Sequence, residues 1–272
     1  MKAISFKLKQ ALVQRLDASP LAPDRLQGRS LEDVGAVLLQ YGNQKVRVDD
    51  MFNISGSAEA GKVEIEGHDK MDFIARGMTA GEVVVHGSAG SWAGMDMRGG
   101  VLTIDGHAGA YAACEMKGGM LEIRGDAGDF LGGALPGNQK GISGGLVLVR
   151  GNAGDRLGDH MRRGVILVEG HVGDYLGSRM AAGTIAVLGK VGGYPGFAMK
   201  RGTLLMFSAL QKPLHATFVD CGSHTLGFLP LLMKSFTHLD SPFAGTELDV
   251  SRVQRYAGDL SVGGKGEILV VR

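Results

Sequence analysis

Glycine returns along this chain with a fixed 19-residue period, and this period restricts the possible fold more than any other feature of the sequence. A glycine precedes a short apolar run in seven successive units, with one longer, 26-residue step between the third and the fourth. These anchor glycines are Gly81, Gly100, Gly119, Gly145, Gly164, Gly183 and Gly202. Further glycines follow each run at nearly constant offsets. Self-similarity at a fixed period is the signature of a repeat architecture.

Each unit holds one short run of β-branched and aliphatic residues between glycines, which is typical of a β-strand. Examples are EVVVH (82–86), LVLVR (146–150) and VILVE (165–169). A strand–helix unit needs about 30 residues, whereas one rung of a parallel β-helix, with rungs stacked ~4.8 Å apart, suits the shorter period. The sequence therefore predicts an all-β fold: a single-stranded right-handed parallel β-helix with 19-residue rungs, capped by non-repeat N- and C-terminal segments.

Three segments follow from where the period holds. Residues 1–56 are predicted to form an N-terminal lead-in and cap, residues 57–207 the glycine-rich β-helix, and residues 208–272 a C-terminal cap. Within the caps we expect short helices near Ser30–Leu39 and Gly227–Phe236, and a final strand at GEILVVR (266–272). A stacked array exposes unpaired edges at both ends, so caps are required.

Alternation along each strand assigns the inner face, with pairs such as Val83 and Val85 pointing inward. A methionine recurs at one equivalent position and predicts a second inward ladder: Met78, Met97, Met116, Met161, Met180 and Met199, with Ile142 in the fourth unit. This core needs no cofactor. The outward mid-strand position becomes apolar only in the later rungs, at Leu148, Leu167, Ala186 and Leu205. Either the C-terminal segment or another subunit is expected to cover it.

The position two residues before the anchor glycine is often basic, and basic residues also occur beside it. Stacked like charges repel one another, so the arrangement suggests that an anion offsets them; a solvated corner without a ligand is the alternative. The candidate residues for binding an anionic cofactor or partner are Arg98, Lys117, Arg162, Arg163, Lys200 and Arg201. We refer to these six residues as the basic ladder.

A third outward ladder is aromatic. Trp92, Tyr111, Phe130, Tyr175 and Tyr194 occupy equivalent positions, with Arg156 in the intervening unit. Aromatic rings that follow one another along a stack pack favourably. Structural packing or a subunit contact is favoured over ligand stacking.

The sequence assigns no catalytic residue and no metal ligand. It lacks H-E-x-x-H and C-x-x-C, and its glycine-rich elements are corners of a periodic array rather than phosphate loops. His215, Cys221, His224 and His238, with Asp240, are residue types that bind zinc, but their spacing matches no standard arrangement. They are either a metal site or ordinary side chains of the cap.

Composition and charge exclude several partners. The net charge of +1 gives no reason to expect nucleic-acid binding. There is no apolar signal region at the N-terminus and no apolar stretch long enough for a membrane span, and the two cysteines indicate a reducing compartment. We expect a cytoplasmic protein that contacts neither nucleic acid nor membrane.

The repeat resembles the third, or C-type, subunit of formylmethanofuran dehydrogenase, a family that includes the C-subunit of the bacterial formyltransferase/hydrolase complex. The resemblance rests on MTAGEVVVHGSAGSWAGMDMRGGVLTIDGHAG (78–109), MKGGMLEIRGDAG (116–128) and GISGGLVLVRGNAGDRLG (141–158). The glycine spacing is also similar to that of the C-terminal β-helix of the glutamate synthase large subunit, but the catalytic domains of that enzyme are absent.

This resemblance implies a non-catalytic assembly subunit. In the bacterial complex, a formyltransferase subunit moves a formyl group from a tetrahydromethanopterin-type carrier to a methanofuran-type carrier, and an amidohydrolase-like subunit releases formate during one-carbon oxidation. The resemblance also implies a role in holding the acidic tail of the carrier, and we take the basic ladder as a physically reasonable place for that tail. Three alternatives remain open: the C-subunit of an archaeal tungsten- or molybdenum-dependent dehydrogenase, a free-standing module for an anionic carrier, and a stand-alone enzyme with its site on the flank of the helix.

Overall fold

The structure is a computed structural model that describes residues 2–245 and 248–272. The strands in these ranges are β1 (Ile4–Leu8), β2 (Leu16–Asp17), β3 (Leu38–Tyr41), β4 (Gln44–Arg47), β5 (Phe52–Ser55), β6 (Lys62–His68), β7 (Met71–Asp72), β8 (Glu82–Ala89), β9 (Val101–Ile104), β10 (Met120–Ile123), β11 (Ser143–Val149), β12 (Arg163–Val168), β13 (Thr184–Val187), β14 (Thr203–Met206), β15 (Val219–His224), β16 (Val253–Gly258) and β17 (Gly266–Val271). The α-helices are α1 (Pro23–Leu26), α2 (Leu31–Gly35), α3 (Val48–Met51) and α4 (Phe228–Lys234). None of the helices in these ranges has the length and apolarity needed to cross a membrane.

A 13-stranded sheet in the order β15-β16-β17-β14-β13-β12-β11-β10-β9-β8-β6-β1-β5 dominates the molecule. From β8 to β14 the strands are parallel, and neighbours pair in register; Val83 opposes Leu102, which opposes Leu121. The single long step in the repeat does not break this register, because Leu121 opposes Val147 across it. The predicted all-β class is confirmed, and its main element is a large parallel sheet.

The pairing continues beyond the strands into the corners. Parallel bridges link Ala89, Ala108, Ala127, Ala153, Val172 and Val191 in succession. Between the end of each strand and these bridged residues, backbone hydrogen bonds such as Asp105 N–H to the Val85 carbonyl (2.9 Å) and Gly106 N–H to the Gly87 carbonyl (2.8 Å) continue the pairing. Corner amides thus find their acceptors in a neighbouring repeat, which satisfies polar groups that would be costly to leave unpaired.

The inward residues of the strands form the predicted aliphatic core. Val83, Val85, Leu102 and Ile104 are each at most 1% exposed, as are their counterparts in the later strands. The methionines of the inward ladder, from Met78 to Met199, are completely buried together with Ile142. A buried aliphatic side chain contributes about 1.5–3 kcal/mol relative to exposure, so this continuous column is the main source of stability.

Gly145, directly before the apolar run of β11, illustrates why the period depends on glycine. Its φ is +88°, in the left-handed region that L-residues avoid. A Cβ atom built there would also lie 2.6 Å from the Gly119 carbonyl oxygen of the preceding repeat. Conformation and close backbone approach therefore both require glycine at this position.

A pair of alanine substitutions separates these two requirements. Gly137 in the insertion has the same φ of +88°, but a Cβ atom there would meet nothing within 4 Å. We expect Gly137→Ala to cost about 1–2 kcal/mol, the conformational term alone, and Gly145→Ala to cost several kcal/mol more because the backbones must move apart. Urea unfolding followed by circular dichroism measures both. Equal losses would contradict the close-approach argument.

The N-terminal segment contributes a strand to the main sheet that the repeat pattern does not predict. β1 pairs in parallel with β6, with Ile4 opposite Val63, and antiparallel with β5. Ile4 and Phe6 are at most 1% exposed and extend the core. The predicted helix near Ser30–Leu39 is shorter than expected: it ends at Gly35, and residues 38–41 form β3 in a separate four-stranded sheet, β4-β3-β2-β7. Ser30 and Asp33 form its capping box.

The C-terminal segment covers the apolar outer face of the later repeats. Leu148, Leu167, Ala186 and Leu205 are at most 1% exposed and form a second core with Leu229, Met233, Phe236, Leu239 and Phe243. The helix predicted at Gly227–Phe236 is α4, and the final strand is β17, which pairs in parallel with β14. Of the two covers that the sequence left open, the structure shows the chain's own C-terminal segment.

Two mutants on the same outward position test this cover. Leu167→Ala should cost about 2–5 kcal/mol, because Leu167 is completely buried beneath the C-terminal segment. Val84→Ala, at the equivalent position of an early repeat where the side chain is half-buried, should cost less than about 1.5 kcal/mol. Both values come from equilibrium denaturation. A cost for Leu167→Ala no larger than that for Val84→Ala would contradict the proposed packing.

Candidate functional site

The six residues of the basic ladder lie at one corner of the molecule, and all six are exposed. The backbone explains their alignment. Arg98 N–H donates to the Met78 carbonyl (2.8 Å), Lys117 N–H to the Met97 carbonyl (2.7 Å), and Lys200 N–H to the Met180 carbonyl (2.8 Å). Each of these cations follows directly after an inward methionine, and its side chain is directed to solvent. The structure brings the predicted residues to one edge.

Asp96 pairs with the two cations at the beginning of the ladder. Its carboxylate accepts from Arg98 (3.3 Å) and forms a short ion pair with Lys117. Burial acts to raise the pKa of Asp96, but the hydrogen bonds and charges of Lys117 and Arg98 outweigh it and hold that pKa below its usual value. These two cations therefore share one carboxylate, which offsets part of their positive charge. Asp96 was not among the predicted site residues, although it lies two residues before Arg98.

The insertion forms a cavity beside the middle of the ladder. The cavity has a volume of about 520 Å³, and its walls include Lys117, Lys140, Arg162, Ser143 and Glu115. Glu115 accepts a hydrogen bond from the Asn138 side chain (2.6 Å), and Arg162 donates to the Gln139 carbonyl (3.3 Å). The long step in the repeat was the signal for this feature.

A second cavity, of about 350 Å³, lies at the end of the ladder. Its walls are Ala181, Lys200, Arg201, Val262, Gly263 and Lys265. Lys265 comes from the C-terminal segment, and its backbone N–H donates to the Lys200 carbonyl (2.7 Å). The repeat pattern does not predict this lysine, because Lys265 lies outside the repeat and follows β15, α4 and β16 in the chain.

The aromatic ladder is a continuous stack. Ring centroids of neighbouring members are 6.3 Å apart for Trp92–Tyr111, 4.8 Å for Tyr111–Phe130 and 5.1 Å for Tyr175–Tyr194. The Arg156 guanidinium lies 4.6 Å from the Tyr175 ring centroid and bridges the gap. Phe73, which was not predicted as a member, extends the stack below Trp92 at 4.9 Å. The rings are in contact with each other, as expected for packing.

A chain of known structure matches this one over nearly its whole length. The crystal structure is that of the formyltransferase/hydrolase complex from Methylorubrum extorquens in complex with methylofuran. The match has a TM-score of 0.92 and 37% sequence identity, and it covers 98% of this chain and 99% of the other. This chain belongs to the formylmethanofuran dehydrogenase C-subunit family.

The chain is also similar in sequence to C-subunits of tungsten-containing formylmethanofuran dehydrogenases. The C-subunit of a tungsten-containing formylmethanofuran dehydrogenase from Methanothermobacter marburgensis is 35% identical over 84 residues, which is 29% of this chain and 31% of the relative. The equivalent protein from Methanococcus maripaludis is 30% identical over 97 residues, covering 35% and 36%. The matched region thus spans about a third of the length of these relatives. No family model matches the chain.

On the outer face of this C-subunit family member, a charged network links the repeats to the C-terminal segment. Arg150 donates to Glu122 (2.8 Å) and lies 3.4 Å from Asp240. Arg124 donates to Asp105 (2.7 Å). Alignment of the repeats places Thr103 in the same group, but this group contains no nucleophile beside a base. Its charged side chains form ion pairs with one another on the outer face.

His215, Cys221 and His224 of the C-terminal segment make local contacts. His215 Nδ1 lies 2.9 Å from the Thr217 hydroxyl oxygen, and His224 Nε2 lies 2.9 Å from the Cys221 carbonyl. Within residues 2–245 and 248–272, no three His, Cys, Asp or Glu side chains are grouped so that they could hold a metal ion. His215 and His238 are exposed side chains of the cap.

The two thiols should differ sharply in reactivity. Burial raises the pKa of Cys114 to about 12, so its thiol is protonated and shielded near neutral pH. Cys221 lies near the surface. We expect Ellman's reagent to titrate one thiol in the native protein and two in denaturant, and the Cys221→Ser variant to show none before unfolding. Rapid native labelling of Cys221→Ser would contradict the burial of Cys114.

Proposed function

We propose that this chain is the non-catalytic assembly subunit of a formyltransferase/hydrolase complex. Such a complex moves a formyl group from a tetrahydromethanopterin-type carrier to a methanofuran-type carrier and releases formate. The observation that carries this proposal is the match over 98% of this chain, at 37% identity, to a chain of a complex of that kind. The proposed partners are a formyltransferase subunit and an amidohydrolase-like subunit, and the proposed location is the cytoplasm.

A right-handed parallel β-helix with 19-residue rungs is the fold we propose for this role. In-register parallel pairs one repeat apart, and the bridges between successive corners, support it. Residues 57–207 would form the helix, residues 1–56 the N-terminal cap and residues 208–272 the C-terminal cap. Such a stack presents long, regular flanks on which other subunits can dock.

The basic ladder is the proposed contact for the acidic tail of the carrier. Arg98, Lys117, Arg162, Arg163, Lys200 and Arg201 share one exposed edge, and two cavities open beside them. A row of cations along an edge attracts a ligand whose negative charges repeat along a chain. The carrier tail has this chemistry in the family to which the chain belongs.

The second candidate is the C-subunit of a tungsten- or molybdenum-dependent formylmethanofuran dehydrogenase. The archaeal relatives favour it, but their matches cover only about a third of either chain. The full-length match to the formyltransferase/hydrolase complex therefore takes precedence. A free-standing carrier-binding module is less well supported, because a match to a chain of a multi-subunit complex does not suggest a solitary protein.

Affinity purification of the tagged chain from its native source, followed by mass spectrometry and metal analysis, tests the assignment. We expect a formyltransferase and an amidohydrolase-like protein to co-purify, without tungsten or molybdenum. An untagged strain carried through the same steps is the control. Recovery of tungsten or molybdenum with iron–sulfur subunits would favour the dehydrogenase, and recovery of the chain alone would contradict the assembly role.

A further inference from the structure

The basic ladder is interrupted by two alanines. In the register of β12, β13, β14 and β17, Val165 opposes Thr184, Thr184 opposes Thr203, and Thr203 opposes Glu267. The residues that precede these positions consequently follow one another as four layers: Arg162 with Arg163, Ala181 with Ala182, Lys200 with Arg201, and Lys265. The small side chains of the second layer leave a notch between two layers of long cationic side chains.

The cations around this notch differ from those at the beginning of the ladder. Arg98 and Lys117 share the carboxylate of Asp96. In contrast, none of the ion pairs found in the described ranges involves Arg163, Lys200, Arg201 or Lys265. The positive charge of the ladder is therefore concentrated, without internal compensation, at its C-terminal end.

The notch opens into the cavity of about 350 Å³. Ala181 lies on one side of this cavity, Lys200 and Arg201 line its centre, and Lys265 closes the far side. The bond from the Lys265 N–H to the Lys200 carbonyl fixes the last layer against the one before it. The C-terminal segment thereby completes a cationic wall that the repeats alone do not provide.

We propose that the alanine notch and its cavity bind an extended chain that carries repeated carboxylates. Layers of a parallel stack are ~4.8 Å apart, so the four layers distribute their charges over about 15 Å. A single phosphate group would meet only one or two of these cations, whereas an oligocarboxylate chain can meet all of them in turn. The choice of a carrier tail as the natural ligand rests on the proposed function; the location of the site does not.

This site is predicted to bind mainly through electrostatic attraction. Each exposed cation–carboxylate pair is individually weak, so the affinity depends on several pairs acting together and falls with ionic strength. Arg163 and Lys265, in the first and last of the four layers, pair with carboxylates at the two ends of the bound chain. Arg98 and Lys117 contribute less than these cations, because they share the carboxylate of Asp96.

Calorimetric titration of the full-length protein, purified with its partners, with hexa-γ-glutamate tests the inference. The variant Lys200→Gln/Arg201→Gln should lose affinity by about tenfold or more. The matched variant Lys7→Gln/Lys45→Gln removes the same charge from exposed positions of the N-terminal segment and should remain within about threefold of the wild type. Equal losses in the two variants, or no loss in the first, would overturn the proposal.

A third variant tests the notch itself without changing any charge. Ala181→Trp fills the gap between the cationic layers and should weaken binding of hexa-γ-glutamate by about tenfold, with the same unfolding midpoint as the wild type. Unchanged affinity would show that the notch is not the site. If Ala181→Trp is less stable than the wild type, Lys265→Gln at the opposite wall of the cavity tests the same site. Its affinity for hexa-γ-glutamate is expected to fall by about threefold or more.

Tripolyphosphate distinguishes a carboxylate chain from a phosphate ligand. It should bind more weakly than hexa-γ-glutamate at equal ionic strength, and tighter binding would overturn the assignment to an oligocarboxylate. Size-exclusion chromatography with light scattering monitors assembly separately. If the Lys200→Gln/Arg201→Gln variant still assembles with its partners but no longer binds hexa-γ-glutamate, the inference is supported. If the same variant binds hexa-γ-glutamate normally, the inference is overturned and the assembly role is unaffected.

Discussion

Backbone hydrogen bonds between neighbouring repeats are the main constraint on this fold. They hold the strands in register and continue around the corners, where the chain would otherwise leave amides without acceptors. Side chains supply acceptors at other corner amides: Asp155 N–H donates to Asp129 (2.8 Å), and Asp174 N–H donates to Asp155 (2.8 Å). The repeat length is constant except at the insertion before β11, which adds residues while the pairing of β10 with β11 keeps its register.

The same hydrogen bonds hold several non-glycine residues in the left-handed backbone conformation, which L-residues normally avoid. The seven positions of the extended aromatic stack all have φ between 57° and 63°: Phe73, Trp92, Tyr111, Phe130, Arg156, Tyr175 and Tyr194. A left-handed conformation costs an L-residue about 1–2 kcal/mol. Stacking of the rings and interlayer hydrogen bonds offset this cost, as in Tyr111 N–H to the Asp129 carbonyl (2.8 Å). The stack thus stabilises the corner from which its own side chains project.

Periodic features of this fold could be predicted from the sequence, and non-periodic ones could not. Glycine spacing and strand alternation give the all-β class, the inward valines and the methionine ladder, because each recurs in successive repeats. The pairing of β1 with β6 occurs once, so the repeat has no signal for it. The cover over Leu148 and Leu167 could be inferred as a need, but its identity depends on how residues 208–272 fold back.

The same distinction applies to the basic ladder. Alignment of the repeats brings six cations to one edge, but it does not show which of them are compensated by a nearby carboxylate. Asp96 and Lys265 make them unequal, and neither belongs to the recurrent pattern. Asp96 offsets part of the charge of Arg98 and Lys117, and Lys265 adds charge beyond Arg201. A periodic scaffold repeats its backbone faithfully, so the differences between its layers are confined to side chains that break the period. The most informative positions for function are therefore the exceptions, and here they concentrate free positive charge at one end of the molecule.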